Sequence, residues 1–427
     1  MKPKIRLFLY LLVTCILFSS MYFNEFSNEN KDCSEVNPSH GESADQIESS
    51  GFWNFIGTPI SIDNNWAAVN ATYDWCTGAG TESEPYIIEN VTIDAQEIGS
   101  CIEIHNSNEY FIIQNCSFYN SISALDAAGI KLNNVANGKL INNYCYSNYH
   151  GISLLDSDNN TVSGNTASNN KYQGIYTSNS YNNTVSGNTA SNNGENGIYL
   201  YNGDENTVSA NYATYNGENG IYLSYNGNNT VSGNTVSYNY DGIYSYNGEE
   251  NTIFDNNASY NYDDGIHLYF SDGNTIFDNN ASYNIWDGIY LCLSDENTIS
   301  GNTVSNNHIY GIDLDDSFIN TIFLNNFTNN YLTAWDDISS NRWDNGSIGN
   351  YWDDYHGVDA NNDGIGDTPY LINGAGRNYD NFPIWDDGEG GGEQPLIPYG
   401  NYFLLFTIVA ILSLIIVEKQ KKKCHLQ

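Results

Sequence analysis

Three sets of residues in this sequence have the types and spacing that chemistry requires. Asp241, Asp264 and Asp287 recur at 23-residue intervals, each directly before a Gly-Ile pair. Carboxylates stacked about 5 Å apart repel, raise one another's pKa or share a cation. Two residues after the same glycine stand Tyr176, Tyr199, Tyr222, Tyr244 and Tyr290, with His267 taking one place in the series. An aromatic row beside hydrogen-bonding carboxylates suits sugar rings, so Tyr199, Tyr222, Tyr244, Asp241, Asp264 and Asp287 form the candidate ligand surface. The plainer alternative is that tyrosine fills a β-surface by cross-strand stacking and the acids make a solvated face. For an enzyme, Asp264 and Asp287 are the candidate catalytic pair, because glycoside hydrolysis needs two carboxylates about 5 to 9 Å apart. Elimination on a uronate would need a cationic neutraliser, and the basic residues of the repeats, Lys131, Lys139 and Lys171, lie far from the acids in sequence.

The second set is a metal loop. Asp359, Asn361, Asp363, Ile365 (through its carbonyl) and Asp367 fall at positions 1, 3, 5, 7 and 9 of a calcium-loop pattern, with Gly364 at the turn. Position 12 is Tyr370, where a bidentate Glu is expected, so affinity is lower or a ligand comes from elsewhere. The expectation is bound Ca²⁺, against a loop held together by Asx turns. The third set is Cys116 and Cys145, read as the same repeat position in successive coils and therefore as a candidate disulfide. The alternative is two buried thiols. No copper site is visible: Met1 and Met21 are the only methionines, and His105, His150, His267 and His308 share no column.

The elements that must position these residues are legible as a repeat. An Asn-Thr pair returns with its Thr at 161, 184, 207, 230, 252, 275, 298 and 321, a step of 23 with a single step of 22. Three columns hold only asparagine, represented by Asn160, Asn165 and Asn170 and their equivalents. Between them short apolar runs alternate, as in Val185, Ala190, Ile198 and Leu200, the period-2 signal of short strands. The expected fold is all-β, a parallel β-helix solenoid of 22–23 residues per coil. Asparagine suits the corners because it tolerates left-handed backbone and because its amide can hydrogen-bond up a stack.

The string Asn160-Thr161-Val162-Ser163-Gly164-Asn165-Thr166, followed in later repeats by Gly-Ile-Tyr-Leu, resembles the repeat of the NosD-like proteins, a branch of the pectate-lyase-like superfamily. The resemblance runs from roughly Tyr86 to Trp385 and includes Gly349-Asn350-Tyr351-Trp352-Asp353-Asp354-Tyr355. It implies a right-handed helix with three strands per coil. The superfamily implies polysaccharide cleavage as one function, and the NosD branch implies help in maturing the copper centre of nitrous-oxide reductase.

Lys+Arg total 13 against 51 Asp+Glu, a formal charge of −38 that excludes nucleic acid as a partner. Residues 1–21 read as a signal peptide or signal anchor, 22–50 as a flexible lead and 51–85 as an N-terminal cap. Repeats fill 86–330, and a C-terminal cap with the calcium-like loop fills 331–386. A linker at 387–395 leads to an apolar segment, 396–417, about 33 Å long as a helix and able to span a bilayer. The basic tail 418–427 then stays in the cytoplasm. The expectation is a single-pass cell-membrane protein with its bulk outside, a recognition or scaffold module for glycans or envelope proteins. A polysaccharide-cleaving enzyme and a copper-centre maturation factor are the alternatives.

Overall fold

The structure, a computed structural model, describes residues 53–122 and 127–386. The expected signal, lead, linker, membrane segment and tail lie outside the described residues. Among the described residues no helix is long and apolar enough to cross a membrane.

The chain coils through about 11 right-handed turns. Each turn crosses three parallel sheets. The Thr-Val-Ser segments, such as Thr184–Ser186, build one sheet of 12 strands, and the Gly-Ile-Tyr segments, such as Ile198–Tyr201, build another of 12. The third sheet has 5- and 7-stranded parts joined by single bridges at Thr189. Register is strict: Val162 pairs with Val185 and Ile198 with Ile221, so like stacks on like. Alternation then drives one residue of each pair inward. Val185, Ala190, Ile198 and Leu200 are buried in one continuous core.

Corners are held by the asparagine columns. Asn188 donates from its backbone N–H and from Nδ2 to Asn211 Oδ1, both at 2.9 Å, and Nδ2 also reaches the Val162 carbonyl at 2.9 Å. Asn211 repeats the pattern onto Asn234. This column extends past the regular repeats, from Asn143 to Asn350, so it ties the C-terminal cap to the coils. Both ends of every buried amide are satisfied, which avoids the roughly 1–3 kcal/mol cost of an orphaned polar group. The left-handed backbone, however, lies one residue earlier than expected. Ladder asparagines have ordinary φ, while the preceding residue is left-handed even when it is Ala210 (φ 54), Tyr238 (φ 60) or Ile319 (φ 60). The ladder bonds fix the turn, and the neighbour takes the strain.

Two strands of the expected N-terminal cap, Trp53–Ile56 and Ile60–Asp63, already join the coil sheets. The short helix Trp66–Thr72 follows, and its Trp66 stacks on Tyr86 at 5.1 Å while donating to Ser107 Oγ at 2.8 Å. At the other end Trp352 stacks on Phe327 at 4.4 Å, and two buried carboxylates anchor the aperiodic chain. Asp336 accepts from Trp343 Nε1 and Asn341 Nδ2, and Asp380 from Trp352 Nε1 and the Asn350 N–H.

The disulfide expectation is corrected here. Cys116 and Cys145 are buried free thiols. Cys145 lies opposite Phe118, whereas Cys116 sits in the row of the ladder asparagines and donates its N–H to Asn143 Oδ1. The early coils differ in length, with 28 residues from Ile102 to its partner Ile130. Counting from strand starts therefore misplaced Cys116 by two residues.

Candidate functional site

The outer face of the Gly-Ile-Tyr sheet carries Tyr176, Tyr199, Tyr222, Tyr244, His267, Tyr290, Asp313 and Trp335 in one register column. Alongside it run Tyr201, Tyr246 and Tyr269. Flanking inward residues are buried, and the column itself is half-buried. The reason lies in ring stacking: Tyr199 and Tyr222 are 4.6 Å apart and 7° from parallel, and Tyr222 and Tyr244 are 5.0 Å apart and 12° from parallel. Ring faces are thus taken up by neighbouring rings. What the column offers outward is a row of ring edges and hydroxyls.

Behind it lies the acid corner. Asp241, Asp264 and Asp287 are 3%, 2% and 3% exposed, so they are not the solvated face that a regular acidic ladder first brings to mind. Each backbone N–H bonds the carboxylate one coil back: Asp264 to Asp241 Oδ1 at 3.0 Å, Asp287 to Asp264 Oδ1 at 2.9 Å and Tyr310 to Asp287 Oδ1 at 2.7 Å. Asn219 makes the same bond to Asn196 at 3.1 Å, so the acids continue a column that starts as amides. The following glycine allows this packing, since a Cβ on Gly265 would meet the Gly288 carbonyl at 2.6 Å and Asn284 Nδ2 at 2.7 Å. The lone 22-residue step falls at this corner. Three residues separate Asn216 from Gly220, but only Tyr240 and Asp241 separate Asn239 from Gly242.

Burial, the largest cause in each case, pushes four acids here, Asp263, Asp264, Asp287 and Asp313, toward the neutral form. Asp264 is raised well above the usual carboxylate range by burial and by Asp241, Asp287 and Asp263. Asp287 rises to about 7 by burial, and Asp263 rises to about 6 by burial and Asp241. Asp313 rises to about 8 by burial, then by Asp287 and Asp315, and its Oδ1 is buried without a partner. Clusters of this kind are where functional sites are found. Asp313 was legible only by counting the tyrosine column onward to where the aromatic stops. His267, seen in sequence as an interruption, turns Nδ1 toward Asp241 Oδ2 and Asp264 Oδ2, 3.5 Å from each.

The calcium-like loop lies apart from this corner in the chain. Gly364 N–H donates to Asp359 Oδ2 at 2.8 Å, Asp363 N–H to Asn361 Oδ1 at 3.1 Å, Ile365 N–H to Asp363 Oδ1 at 2.9 Å and Ala360 N–H to Asp367 Oδ2 at 2.8 Å. These Asx-type bonds tie the side-chain oxygens of the expected ligand set to the loop's own N–H groups, and Asp359, Asp363 and Asp367 do not together bring one carboxylate oxygen each within 4.8 Å of one another. Tyr370, at the departing twelfth position, points its hydroxyl to Asp354 Oδ1 at 2.9 Å.

Among the described residues, one group of three His, Cys, Asp or Glu side chains brings its ligand atoms within 4.8 Å of one another: Asp241, Asp264 and His267. Two hard carboxylates and one imidazole do not fit soft Cu(I), and burial raises the pKa of the Cys101, Cys116 and Cys145 thiols, keeping them protonated.

A family model described as periplasmic copper-binding protein (NosD) matches residues 214–357, and one described as right handed beta helix region matches residues 75–236. No curated protein matches the chain. Among solved structures, the A-module of the mannuronan C-5 epimerase AlgE6 from Azotobacter vinelandii superposes with a TM-score of 0.52 at 14% identity, over 69% of this chain and 98% of that one. The periplasmic alginate epimerase AlgG gives 0.45 at 15% identity, over 64% of this chain and 83% of that one. The Dettilon tailspike protein gives 0.37 at 15% identity, over 70% of this chain and 58% of that one. At such identities the likeness is one of fold.

Proposed function

Since the chain is a NosD-like repeat protein with the right-handed, pectate-lyase-like β-helix, we propose that it is a cell-surface recognition module, anchored through 396–417, that binds neutral glycans along the tyrosine column. One observation carries this reading. Hydroxyls and ring edges of Tyr176, Tyr199, Tyr222, Tyr244 and Tyr290 form a regular outward array at the strand spacing, about 4.8 Å per coil. A repeating polymer that lies along the coil axis meets the same hydrogen-bonding edge on four successive coils, from Tyr176 to Tyr244. The formal charge of −38 favours neutral over anionic polysaccharides. The test is retention on a glycan array by the full chain in detergent: Tyr222→Ala and Tyr244→Ala should abolish it. Retention unchanged in both variants contradicts the reading.

A second reading, glycan cleavage by Asp264 and Asp287, is favoured by two carboxylates buried on adjacent coils beside the same face. Reducing ends released from a bound neutral polysaccharide, and lost in Asp287→Asn, would move the function from recognition to catalysis.

A further inference from the structure

The acid corner holds three side chains that hydrogen bonding leaves incomplete. Asp241 and Asp264 each commit Oδ1 to a backbone N–H of the next coil, which turns each Oδ2 toward His267. Among the described residues no hydrogen bond reaches either Oδ2, although both side chains are more than nine-tenths buried. The buried His267 Nδ1 also lacks a hydrogen-bond partner. Its ring is clamped between Tyr244 at 4.7 Å and Tyr290 at 4.8 Å, so the nitrogen is held aimed between the two carboxylates.

The spacing separates two explanations. A charge-assisted N–H···O bond closes to about 2.7–2.9 Å. The 3.5 Å separations here are too long for that. Ligands bound tetrahedrally at about 2.0–2.2 Å lie about 3.4 Å from one another, close to the 3.5 Å between His267 Nδ1 and each carboxylate oxygen.

We propose that Asp241, Asp264 and His267 form a site for a first-row divalent cation of the Zn²⁺ or Mn²⁺ kind. Two carboxylate oxygens and one imidazole nitrogen suit such ions better than Ca²⁺, which takes six to eight oxygens. The backbone N–H bonds to each Oδ1 and the flanking tyrosine rings supply the outer shell that fixes ligand orientation. The His267 side chain is 18% exposed, on the face that carries the tyrosine column. The site stands on its own ligands and does not depend on the glycan reading.

The test is calorimetric titration of the untagged, chelator-stripped full chain in detergent with ZnCl₂ and, separately, MnCl₂. His267→Tyr installs the residue found in this column on both adjacent coils, and Asp264→Asn installs the residue found upstream in its own column at Asn219, so the coils supply precedents for both. One ion per chain should bind at this site, with affinity falling by more than about 100-fold in both variants, beyond the loss of an outer-shell partner. Asp363→Asn, in the separate calcium-like loop, should leave this binding unchanged. Absence of Zn²⁺ and Mn²⁺ binding by the wild-type chain, or binding that survives His267→Tyr, overturns the proposal.

Discussion

Compare the corner before the Gly-Ile pair in the earlier repeats, where it is Gln173, Asn196 and Asn219, with the same corner in the later ones, where it is Asp241, Asp264 and Asp287. The Asn219 and Asp264 N–H groups both bond the side-chain oxygen one coil back, at 3.1 and 3.0 Å. In the amide half two of the three side chains also donate: Gln173 Nε2 to Glu195, and Asn196 Nδ2 to Glu218 Oε2 at 3.3 Å. In the acid half there is no donor to give, and the second oxygens of Asp241 and Asp264 are left facing His267. One repeat therefore serves as scaffold in one half and as a polarised, unfinished site in the other. The switch coincides with the corner that lost a residue.

The largest effects should come from changes that break what both halves share. Gly197→Ala and Gly265→Ala push a Cβ to 2.7 and 2.6 Å from the next coil's glycine carbonyl. Both should cost about 3 kcal/mol or more, read as loss of folded yield or a large drop in melting temperature. An equal loss in the two halves is the expected result, and a tolerated Gly265→Ala would show that the acid corner is looser than its geometry implies.

Next in size is pH dependence, which the acid half should dominate. Asp313 has a folded pKa of about 8, above its ordinary value of 3.8. The folded state then holds an extra proton between those values, so stability falls as pH rises from about 4 to about 8 and is flat outside that window. The slope should be on the order of 1 kcal/mol per pH unit. Asp313→Asn should raise the melting temperature at pH 8 and flatten this slope. A slope that persists unchanged in the variant would assign it to other groups.

Asn211→Ala should cost about 1–3 kcal/mol by removing the acceptor of Asn188 and the donor to Val185, measured by denaturant unfolding. The smallest effect concerns the C-terminal loop. Bound Ca²⁺ there predicts that EGTA lowers the melting temperature by a few degrees, the shift of about 1 kcal/mol in a large domain, and that Asp363→Asn removes the response. A melt indifferent to EGTA would leave the loop to its own Asx bonds.

Much of this architecture was legible because period and register are one signal. Asn160, Asn165 and Asn170 repeat at the coil length, and Ile198 and Tyr199 alternate inward and outward as strands require. Sequence could not tell that Asp264 is buried, because a carboxylate ladder and an amide ladder have the same spacing and differ only in what covers them. Nor could it place Cys116, since the early coils vary in length. Asp336 and Asp380 gave no signal, because they anchor an aperiodic cap through tryptophan N–H groups that only the fold brings near.

Two tyrosine columns offer the most direct test of the recognition claim. Tyr215, Tyr238, Tyr260 and Tyr283 stack along another corner and are exposed, with Tyr215 and Tyr238 4.6 Å apart. Tyr222, Tyr244 and their neighbours stack beside the acids. Retention of the full chain on a neutral-glycan array should be lost in Tyr244→Ala and kept in Tyr238→Ala. Retention kept in Tyr244→Ala and lost in Tyr238→Ala would place recognition on the wrong face and contradict the account.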